Sequence, residues 1–366
     1  MAHGKLPLEL EIRRLISVAG PMSLPQFMAL CLTHPEHGYY ATHDPFGTTG
    51  DFTTAPEISQ MFGELLGVWA VATWKLMGSP DKVRLVELGP GRGTMMSDAL
   101  RAARVLPEFR RAIEVHLVET SELLRTRQRD TLGKIDVPLQ WHDTLTDVPE
   151  GPSIILANEF FDALPVNQAV KQEDGWHESV VEIDANDDLV FGLAAEPIAH
   201  FEPTLPRQVR EAPVGSIFEW RSDQMALEIG RRVARVGGAA LVIDFGHVAS
   251  EVGETLQAIR AHVFTDPLTD PGTADLTGHV DFEALSRAAE SIGARVHGPV
   301  EQAHFLRRLG IEARAQALKK AVPDKASEID SALLRLTAGG KTGMGMMFKV
   351  VAFSAPGLTM LPGFDV

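Results

Sequence analysis

The sequence predicts an α/β fold: a mostly parallel sheet with helices on both faces, an antiparallel C-terminal strand, an N-terminal helical region and a β-rich insertion. Short apolar runs alternate with segments of helical periodicity between residues 83 and 245. This alternation is typical of parallel sheets, because each crossover helix returns the chain to the same edge. Two short β-branched runs in 165–220 interrupt the alternation, and residues 344–353 form a final apolar run.

The N-terminal region is predicted to contain two helices and a loop. Apolar residues recur at helical spacing from Leu8 to Ala19, where a Gly-Pro pair ends the helix. Ser23 is expected to cap a second helix. Prolines and glycines are frequent over 34–55, so this interval is expected to be a glycine-rich lid loop.

A long helix is predicted over residues 56–77. Thr54 and Glu57 have the T-x-x-E spacing of a capping box, in which side chains satisfy free backbone N–H groups at a helix start. Capping is therefore the simplest role for Glu57. Asp51 and Thr53 are not needed for the cap, and we expect them to contact a cofactor if their loop folds over it.

Apolar runs place the core strands, and helices are predicted between them. The predicted strands are residues 83–88, 113–119, 137–141, 153–157 and 239–245, with an antiparallel pair at 294–300 and 344–353. Helices are predicted at 94–104, after Ser121, and at 222–236. The loop 247–280 is a second interruption, rich in Asp, Thr, Gly and Pro.

These elements suggest three regions. Residues 1–80 form the N-terminal helical region with its lid loop, 81–164 and 221–366 form the sheet core, and 165–220 form the β-rich insertion. The insertion is expected to bind the partner or substrate.

The segment after the first core strand is the most informative. Gly89, Gly91 and Gly93 form a G-x-G-x-G turn between a strand and a helix, just after Glu87. Glycines let the backbone approach a ligand, and a helix N-terminus offers free N–H donors. A dinucleotide motif would need glycine where the chain has Thr94, and Glu87 would repel a pyrophosphate. The pattern resembles motif I of class I S-adenosylmethionine-dependent methyltransferases, and Glu87 could hold the amino group of a methionine moiety.

Carboxylates also follow the second and third strands. Glu119 closes the second strand, where a carboxylate can bind the two hydroxyls of a ribose. The alternative for Glu119 is an exposed strand-end acid, but the glycine turn nearby favours the ribose role. Asp143 follows the third strand and could accept a hydrogen bond from an adenine amino group.

Asn158, Glu159 and Asp162 follow the fourth strand. Ligands of open α/β sheets bind outside the carboxyl ends of the strands, so this segment is expected beside the glycine turn. The alternative is that Asn158 or Asp162 caps a short helix. Because packing alone does not explain two carboxylates and an amide there, we expect these residues to be catalytic.

Other polar clusters are weaker candidates. His279 lies in an acidic segment before a helix, so the choice of catalytic base between a carboxylate and His279 stays open. Asp281 has the position of an N-cap. His34 and His37 have loose metal-like spacing, but Pro35 and the lack of a nearby third ligand argue against zinc, and no metal is expected.

Composition limits the partners and the compartment. The formal net charge of −15 argues against nucleic acid, because phosphate binding needs a basic surface, and would suit a basic acceptor protein. Cys31 is the sole cysteine, which excludes an intrachain disulfide and fits a reducing compartment. The chain shows no secretory pattern and no apolar run of about 18 residues, so we expect a soluble, cytoplasmic protein without membrane insertion.

Five segments together resemble the MidA-type methyltransferases, a family that includes the mitochondrial complex I assembly-factor methyltransferase. They are residues 50–57 (G-D-F-T-T-A-P-E), 87–93 (E-L-G-P-G-R-G), 158–165 (N-E-F-F-D-A-L-P), 266–282 and 343–350 (G-M-G-M-M-F-K-V). The resemblance spans nearly the whole chain. It implies a class I methyltransferase (Rossmann-like) fold with S-adenosyl-L-methionine as cofactor. It also implies that the three glycines contact the cofactor, Glu119 its ribose, and Asn158 and Glu159 the transfer site.

The resemblance also implies a substrate class. The mitochondrial relative methylates an arginine of a complex I subunit, so we expect an arginine methyltransferase acting on that subunit or its bacterial counterpart. A non-catalytic assembly protein with the same fold and, more weakly, an NAD(P)-dependent oxidoreductase are the alternatives. Glu87, Glu119 and Glu159 favour the enzyme, because a scaffold does not need them. The acceptor, the extent of methylation and the oligomeric state stay open.

Overall fold

The computed structural model describes residues 5–43, 54–340 and 343–365. The chain folds into two compact units. The accessory unit comprises Met1–Phe52, Asp162–Ser222 and Ala249–Asp281, and the core unit comprises Thr53–Phe161, Asp223–Val248 and Phe282–Val366. The predicted regions 1–80, 81–164 with 221–366, and 165–220 have different bounds and stay a prediction about domain organisation.

A mixed sheet forms the centre of the core unit. The strands that the core unit contributes, in the described residues, are β1 (Val83–Leu88), β2 (Ile113–Val118), β3 (Leu139–His142), β4 (Ser153–Asn158), β5 (Gly238–His247), β6 (Arg295–Glu301) and β7 (Phe348–Ser354). Their order is β6–β7–β5–β4–β1–β2–β3. The strands from β5 to β3 run parallel, and β7 is antiparallel to β5 and β6. The predicted α/β fold with an antiparallel C-terminal strand is confirmed.

The strand order reverses between β1 and β4. The chain adds β2 and β3 on one side of β1 and then returns to add β4 and β5 on the other. Leu88 pairs with Ala157, so the carboxyl ends of β1 and β4 lie side by side. In open α/β sheets, ligands bind at such a reversal. The fold therefore places the segments after β1 and β4 at a position suited to a ligand.

Helices of the core unit pack around this sheet. In the described residues they are Ala55–Ile58, Gln60–Leu76, Thr94–Ala102, Pro107–Ala112, Glu122–Leu132, Gln224–Val236, Phe282–Ser291, Gln302–Arg308, Ile311–Ala321, Ala326–Thr337 and Met344–Met347. Their apolar faces and the strands form one buried cluster that includes Trp69, Leu85, Phe109, Ile154 and Phe305.

Two of these helices meet through glycines. A Cβ atom at Gly63 would lie 2.7 Å from Cβ of Asp98, and one at Gly67 would lie 2.4 Å from the carbonyl oxygen of Ala99. Backbone atoms cannot give way as a flexible side chain can, so the helix Gln60–Leu76 approaches Thr94–Ala102 this closely only with glycine there. The contact fixes the helix that follows the glycine turn.

A buried ion network supports the same helix. Glu64 accepts hydrogen bonds from Arg101 Nη2 at 3.1 Å and from Arg314 Nε at 2.7 Å. Burial raises the pKa of Asp98 to about 6, although its ion pair with Arg101, at 2.7 Å, opposes the shift. The network joins Gln60–Leu76 to two other helices of the core unit.

The accessory unit combines short helices with two small sheets. Its described helices are Pro7–Ala19, Leu24–Thr33, Tyr39–Thr42 and Arg207–Arg210. One sheet has the order Met22–Ser23, Gly175–Ile183, Val166–Gln172, Ile217–Arg221, with Leu189–Leu193 paired to Gly175–Ile183. Val263–Thr265, Gln257–Arg260 and Asp275–Thr277 form the second, and Val280–Asp281 is a further short strand.

The structure corrects several predicted elements. The interval 247–280, expected to be a loop, contains the strands Gln257–Arg260, Val263–Thr265 and Asp275–Thr277. The helix over 56–77 is not continuous, because Ser59 has extended backbone (φ −162°) and its Oγ accepts a hydrogen bond from Met61 N at 3.2 Å. Ser59 therefore ends one helix and caps the next. The predicted strand over 344–353 begins as the helix Met344–Met347 and is extended only from Phe348.

Candidate cofactor and active site

The glycine turn lies directly after β1. Gly89, Gly91 and Gly93 have φ values of 59°, 52° and 80°, in the left-handed region that favours glycine. A Cβ atom at Gly89 would also lie 3.0 Å from Cδ2 of Phe160, in the segment after β4. The backbone of the glycine turn therefore lies close to the segment that follows β4, as the sequence predicts.

Glu87 is a buried carboxylate next to this turn. Its side chain is 2% exposed, and its Oε2 has no hydrogen-bond partner among the described residues. Burial raises the pKa of Glu87 well above its ordinary value. A cation placed beside Oε2 would remove this penalty, so Glu87 suits an ammonium group.

Glu119 is connected to the glycine turn by Gln128. Glu119 Oε1 accepts a hydrogen bond from Ser121 N at 2.8 Å, and its Oε2 accepts one from Gln128 Nε2 at 3.2 Å. The same Nε2 donates to the carbonyl oxygen of Gly91 at 2.8 Å, and Trp141 Nε1 donates to Gln128 Oε1 at 2.9 Å. Gln128 is fully buried. Sequence reasoning missed it, although its place on the helix after Glu119 was a usable signal.

Burial and hydrogen bonding act in opposite directions on Glu119. Burial raises its pKa, whereas the hydrogen bonds from Ser121 and Gln128 lower it. Asp143 differs, because its side chain is 74% exposed and its Oδ1 accepts a hydrogen bond from Arg125 Nη2 at 2.7 Å. The adenine role of Asp143 stays a prediction.

The segment after β4 has an unusual backbone. Glu159 has φ 49°, which non-glycine residues rarely adopt and which costs on the order of 1 kcal/mol. Its Oε1 accepts hydrogen bonds from Ala55 N at 3.1 Å and from Asn158 Nδ2 at 2.9 Å. Asn158 is buried, and its Oδ1 has no partner among the described residues. Strained residues with buried polar atoms are typical of functional sites.

Asp244 on β5 binds the backbone of the segment after β4. Its Oδ2 accepts hydrogen bonds from Phe160 N at 3.2 Å and Phe161 N at 2.9 Å, and its Oδ1 accepts one from Phe245 N at 3.0 Å. Asp244 is fully buried. Sequence reasoning missed this residue, because only the pairing of β4 with β5 brings it to the segment.

Glu57 does not complete the predicted capping box. The Thr54 side chain makes no capping hydrogen bond. Instead, Glu57 Oε1 accepts a hydrogen bond from Thr94 Oγ1 at 2.6 Å, and Oε2 lies 3.9 Å from Arg92 Nη1. Glu57 therefore binds both residues that flank Gly93. The neighbouring candidates Asp51 and Thr53 lie outside the described residues.

Asp162 belongs to the accessory unit. Burial raises its pKa to about 6, and the nearby Arg221 opposes the shift. Arg221 donates to the backbone carbonyls of Asp162, Leu164, Gly278 and His279 at 2.6–3.1 Å. In the same unit, Tyr40 Oη donates to Asp275 Oδ1 at 2.8 Å, and burial with the two nearby carboxylates of Asp275 and Asp162 raises the pKa of Tyr40.

The remaining candidates have local hydrogen bonds. His279 N donates to Thr255 Oγ1 at 2.8 Å, and Asp281 Oδ2 accepts from Ser250 Oγ at 2.6 Å. His34 Nε2 lies 3.3 Å from Glu11 Oε2, and its ring stacks on His37. In the described parts of the chain, no three His, Cys, Asp or Glu side chains are grouped to hold a metal. Among the same residues, no helix is long and apolar enough to span a bilayer.

Comparison with known proteins identifies the family. A family model for S-adenosyl-L-methionine-dependent methyltransferases matches residues 65–300. A Burkholderia thailandensis protein, crystallised with S-adenosyl-homocysteine, is similar with a TM-score of 0.85 and 30% identity, over 97% of this chain and 93% of that one. The chain belongs to the MidA-type methyltransferases. The expectation of a methyltransferase that uses S-adenosyl-L-methionine is confirmed, which sets aside the scaffold and oxidoreductase alternatives.

Curated relatives extend this MidA-type assignment. A Drosophila melanogaster protein, named protein arginine methyltransferase NDUFAF7 homolog, mitochondrial, is 39% identical over 96% of this chain and 85% of its own length. The human protein arginine methyltransferase NDUFAF7, mitochondrial, is 40% identical over 83% of this chain and 73% of its own. These relatives are mitochondrial by name, so the expectation of a cytoplasmic protein is wrong. A single buried cysteine fits any reducing compartment and could not identify the cytoplasm.

The site of this MidA-type methyltransferase fits its cofactor. Glu87 Oε2, which has no partner in the part of the chain that the structure describes, suits the ammonium group of S-adenosyl-L-methionine. The glycine turn, which has no side chains at three positions, leaves room for close approach of the adenosyl moiety. Glu119 offers carboxylate oxygens at the end of β2, where a ribose diol can bind. Each of these features belongs to the core unit.

Proposed function

We propose that this protein is a protein arginine N-methyltransferase that acts on a subunit of respiratory complex I or its bacterial counterpart. The observation that carries the proposal is the position of Glu159 beside the glycine turn. Its backbone is left-handed, and its carboxylate accepts hydrogen bonds from Ala55 and Asn158. Curated relatives at about 40% identity are named protein arginine methyltransferases, which supports arginine as the acceptor. The acidic net charge of −15 suits a basic segment of a protein substrate.

The proposed cofactor contacts follow the geometry of the core unit. Gly89, Gly91 and Gly93 would contact the cofactor through their backbone atoms. Glu87 would bind its ammonium group and Glu119 its ribose hydroxyls. Gln128 would fix the distance between Glu119 and the turn, because one amide nitrogen donates to both. Asp143, Asp51 and Thr53 stay predicted cofactor contacts.

Methyl transfer depends on alignment. S-adenosyl-L-methionine supplies a methyl group bound to a positively charged sulfur. When a nucleophile attacks the methyl carbon in line, the carbon–sulfur bond breaks and the sulfur leaves as a neutral thioether. An arginine side chain is a poor nucleophile, because its charge is delocalised over three nitrogens and it stays protonated at neutral pH. The residues of the protein must therefore orient one nitrogen and withdraw positive charge from it.

We assign this role to Glu159. Its carboxylate would accept hydrogen bonds from the guanidinium, concentrating the positive charge on the nitrogens it holds and directing the remaining lone pair towards the methyl group. The hydrogen bond from Asn158 and the one from Ala55 fix the carboxylate before substrate arrives. The catalytic role of Asp162 stays a prediction, and so does the choice of proton acceptor between a carboxylate and His279.

Replacing Glu159 by glutamine tests this role. Glutamine keeps an oxygen that can accept from Ala55 N and Asn158 Nδ2, so the segment should hold its shape while losing its charge. We expect methyl transfer to fall at least 100-fold, consistent with loss of one charged group in the transition state. Binding of S-adenosyl-homocysteine, measured by calorimetric titration, should change less than threefold.

The matched control is Glu108→Gln, an exposed glutamate on another helix of the core unit. Its activity should equal that of the unmodified enzyme. Transfer is measured with a recombinant complex I subunit preparation and radiolabelled cofactor, and mass spectrometry locates the modified residue. Full activity of Glu159→Gln would refute the proposed role, and modification of lysine alone would refute arginine as the acceptor.

A further inference from the structure

The strand Leu189–Leu193 is an edge strand of the accessory unit. Among the described residues it pairs on one side only, with Gly175–Ile183, where Phe191 lies opposite Val181 and Val190 opposite Glu182. An edge strand exposes backbone donors and acceptors that can pair with an added strand. Extended peptides bind other proteins in this way.

One face of this edge is apolar and open to solvent. Phe191 and Leu193 are each 42% exposed, whereas Val181, across from Phe191, is fully buried. Ile183 and Leu189, further along the same face, pack against the core of the accessory unit. Apolar surface therefore continues from the interior to the free edge, where a second strand could cover it.

The other face carries a carboxylate without a cation. The Glu182 carboxylate makes no hydrogen bond or ion pair within the described residues, and it lies over Gly192 of the edge strand. A Cβ atom at Gly192 would be 2.5 Å from Glu182 Oε1. Glycine thus leaves the carboxylate accessible from the free edge. Glu178 lies four residues earlier on the same face of its strand, because strand side chains alternate.

The surrounding sequence indicates what kind of chain would bind. Residues 172–206 include nine Asp and Glu and no Lys or Arg. A second copy of this chain paired at the same edge would place like charges opposite each other, which is destabilising. A basic segment would be attracted instead.

We propose that the edge strand Leu189–Leu193 binds a basic, extended segment of the protein substrate by strand addition. Apolar side chains of the segment would cover Phe191 and Leu193, and an arginine or lysine on its other face would bind Glu182 across Gly192. The identity of the occupant as substrate rests on the proposed function. The binding itself does not require methyl transfer.

The test uses an eight-residue peptide of alternating arginine and valine with a fluorescent label, titrated with the full-length protein and followed by anisotropy. A peptide of alternating glutamate and valine is the comparison. We expect the basic peptide to bind at least tenfold more tightly. Glu182→Gln and Phe191→Ser should each weaken its binding roughly 3- to 10-fold.

Glu36→Gln is the matched control, because Glu36 is an exposed acid elsewhere in the accessory unit, and it should leave peptide binding unchanged. Thermal melting and S-adenosyl-homocysteine binding show whether the variants fold. Equal binding of the two peptides, or basic-peptide binding that both substitutions leave intact, would overturn the proposal. The proposal would also be overturned if sedimentation experiments showed a dimer and Glu182→Gln made that dimer more stable, because a second copy would then occupy this edge. Failure of arginine methylation would leave these binding results unaffected.

Discussion

At the scale of single residues, the buried carboxylate of Glu87 is suited to a cation. Its Oε2 has no hydrogen-bond partner among the residues that the structure describes, and a buried carboxylate in that situation destabilises the folded state once it is ionised. The folded protein therefore binds a proton at Glu87 more tightly than the unfolded chain does, since burial raises the pKa above its ordinary 4.5. The contribution of Glu87 to stability is present below pH 4.5 and is lost as the pH rises through the raised pKa.

Glu87→Gln should change the stability of the fold and the affinity for the cofactor in opposite directions. Without a charge to bury, the variant's free energy of unfolding should increasingly exceed that of the unmodified protein as the pH rises above 4.5. Affinity for S-adenosyl-homocysteine should fall roughly 10- to 100-fold, because a charged hydrogen bond contributes about 1.5–3 kcal/mol. Urea unfolding between pH 5 and pH 8 and calorimetric titration measure the two effects.

Glu114→Gln is a suitable comparison, because Glu114 lies near the amino end of the neighbouring strand and faces Lys82 at 3.6 Å. It should leave cofactor affinity unchanged. If Glu87→Gln lost stability at every pH and bound the ligand normally, Glu87 would be a structural residue and the ammonium assignment would be wrong.

Only some of the residues of the candidate site could be predicted from sequence. Glu87, Glu119 and Glu159 each follow or end an apolar run, so their place at the sheet edge follows from local pattern. Gln128 follows Glu119 on the next helix, but its contact with Gly91 needs a partner distant in sequence. Asp244 also acts through distant partners, and nothing nearby marks it. The Glu57 contact with Thr94 was misassigned as capping for the same reason.

At the scale of elements, the glycine contact between Gln60–Leu76 and Thr94–Ala102 controls the position of the glycine turn. Apolar periodicity predicted both helices, because each buries one face. The break at Ser59 was not predicted, since a serine inside a helical pattern shows no sign that its hydroxyl caps the next residues. The close approach at Gly63 and Gly67 depends on the partner helix, which local periodicity does not describe.

Gly67→Ala should push these helices apart. The added Cβ would meet the backbone of Ala99 at 2.4–2.9 Å, which neither helix can relieve without moving. We expect a loss of about 1–3 kcal/mol in the free energy of unfolding, as for other overpacked sites. Binding of S-adenosyl-homocysteine should weaken as well, because the shifted helix begins at the turn. Thermal or urea unfolding and titration test both effects.

Gly357→Ala supplies the control for this substitution. No atom lies within 4 Å of the position its Cβ would take, so stability should not fall. If Gly67→Ala were as stable as Gly357→Ala and bound ligand equally well, the two helices would not be held by this contact.

At the scale of the whole molecule, each compact unit is assembled from three stretches of chain. Local sequence patterns divide a chain into consecutive regions, so they could not show that residues 249–281 join the accessory unit and residues 53–80 the core unit. The core sheet was predictable, because its buried parallel strands are continuous apolar runs. The compartment was not, because composition reports redox conditions rather than an organelle.

Cofactor binding should therefore act on particular segments of the core unit. A saturating ligand at 100 times its Kd adds about 2.7 kcal/mol to stability. At short labelling times, hydrogen exchange should slow over residues 87–94, 119–128 and 158–161 when S-adenosyl-homocysteine is added. The helix Ala326–Thr337 is the internal reference and should be unaffected. Equal slowing of the reference helix would contradict a local site.

The backbone at Glu159 constrains which residues can occupy that position. Glycine would relax the left-handed conformation and strengthen the fold, but it would remove the anion. Asparagine tolerates the conformation better than most residues, yet it is shorter and neutral. At position 159, selection for stability therefore favours glycine, whereas selection for methyl transfer favours glutamate. Natural variants that keep this glutamate are expected to be active enzymes.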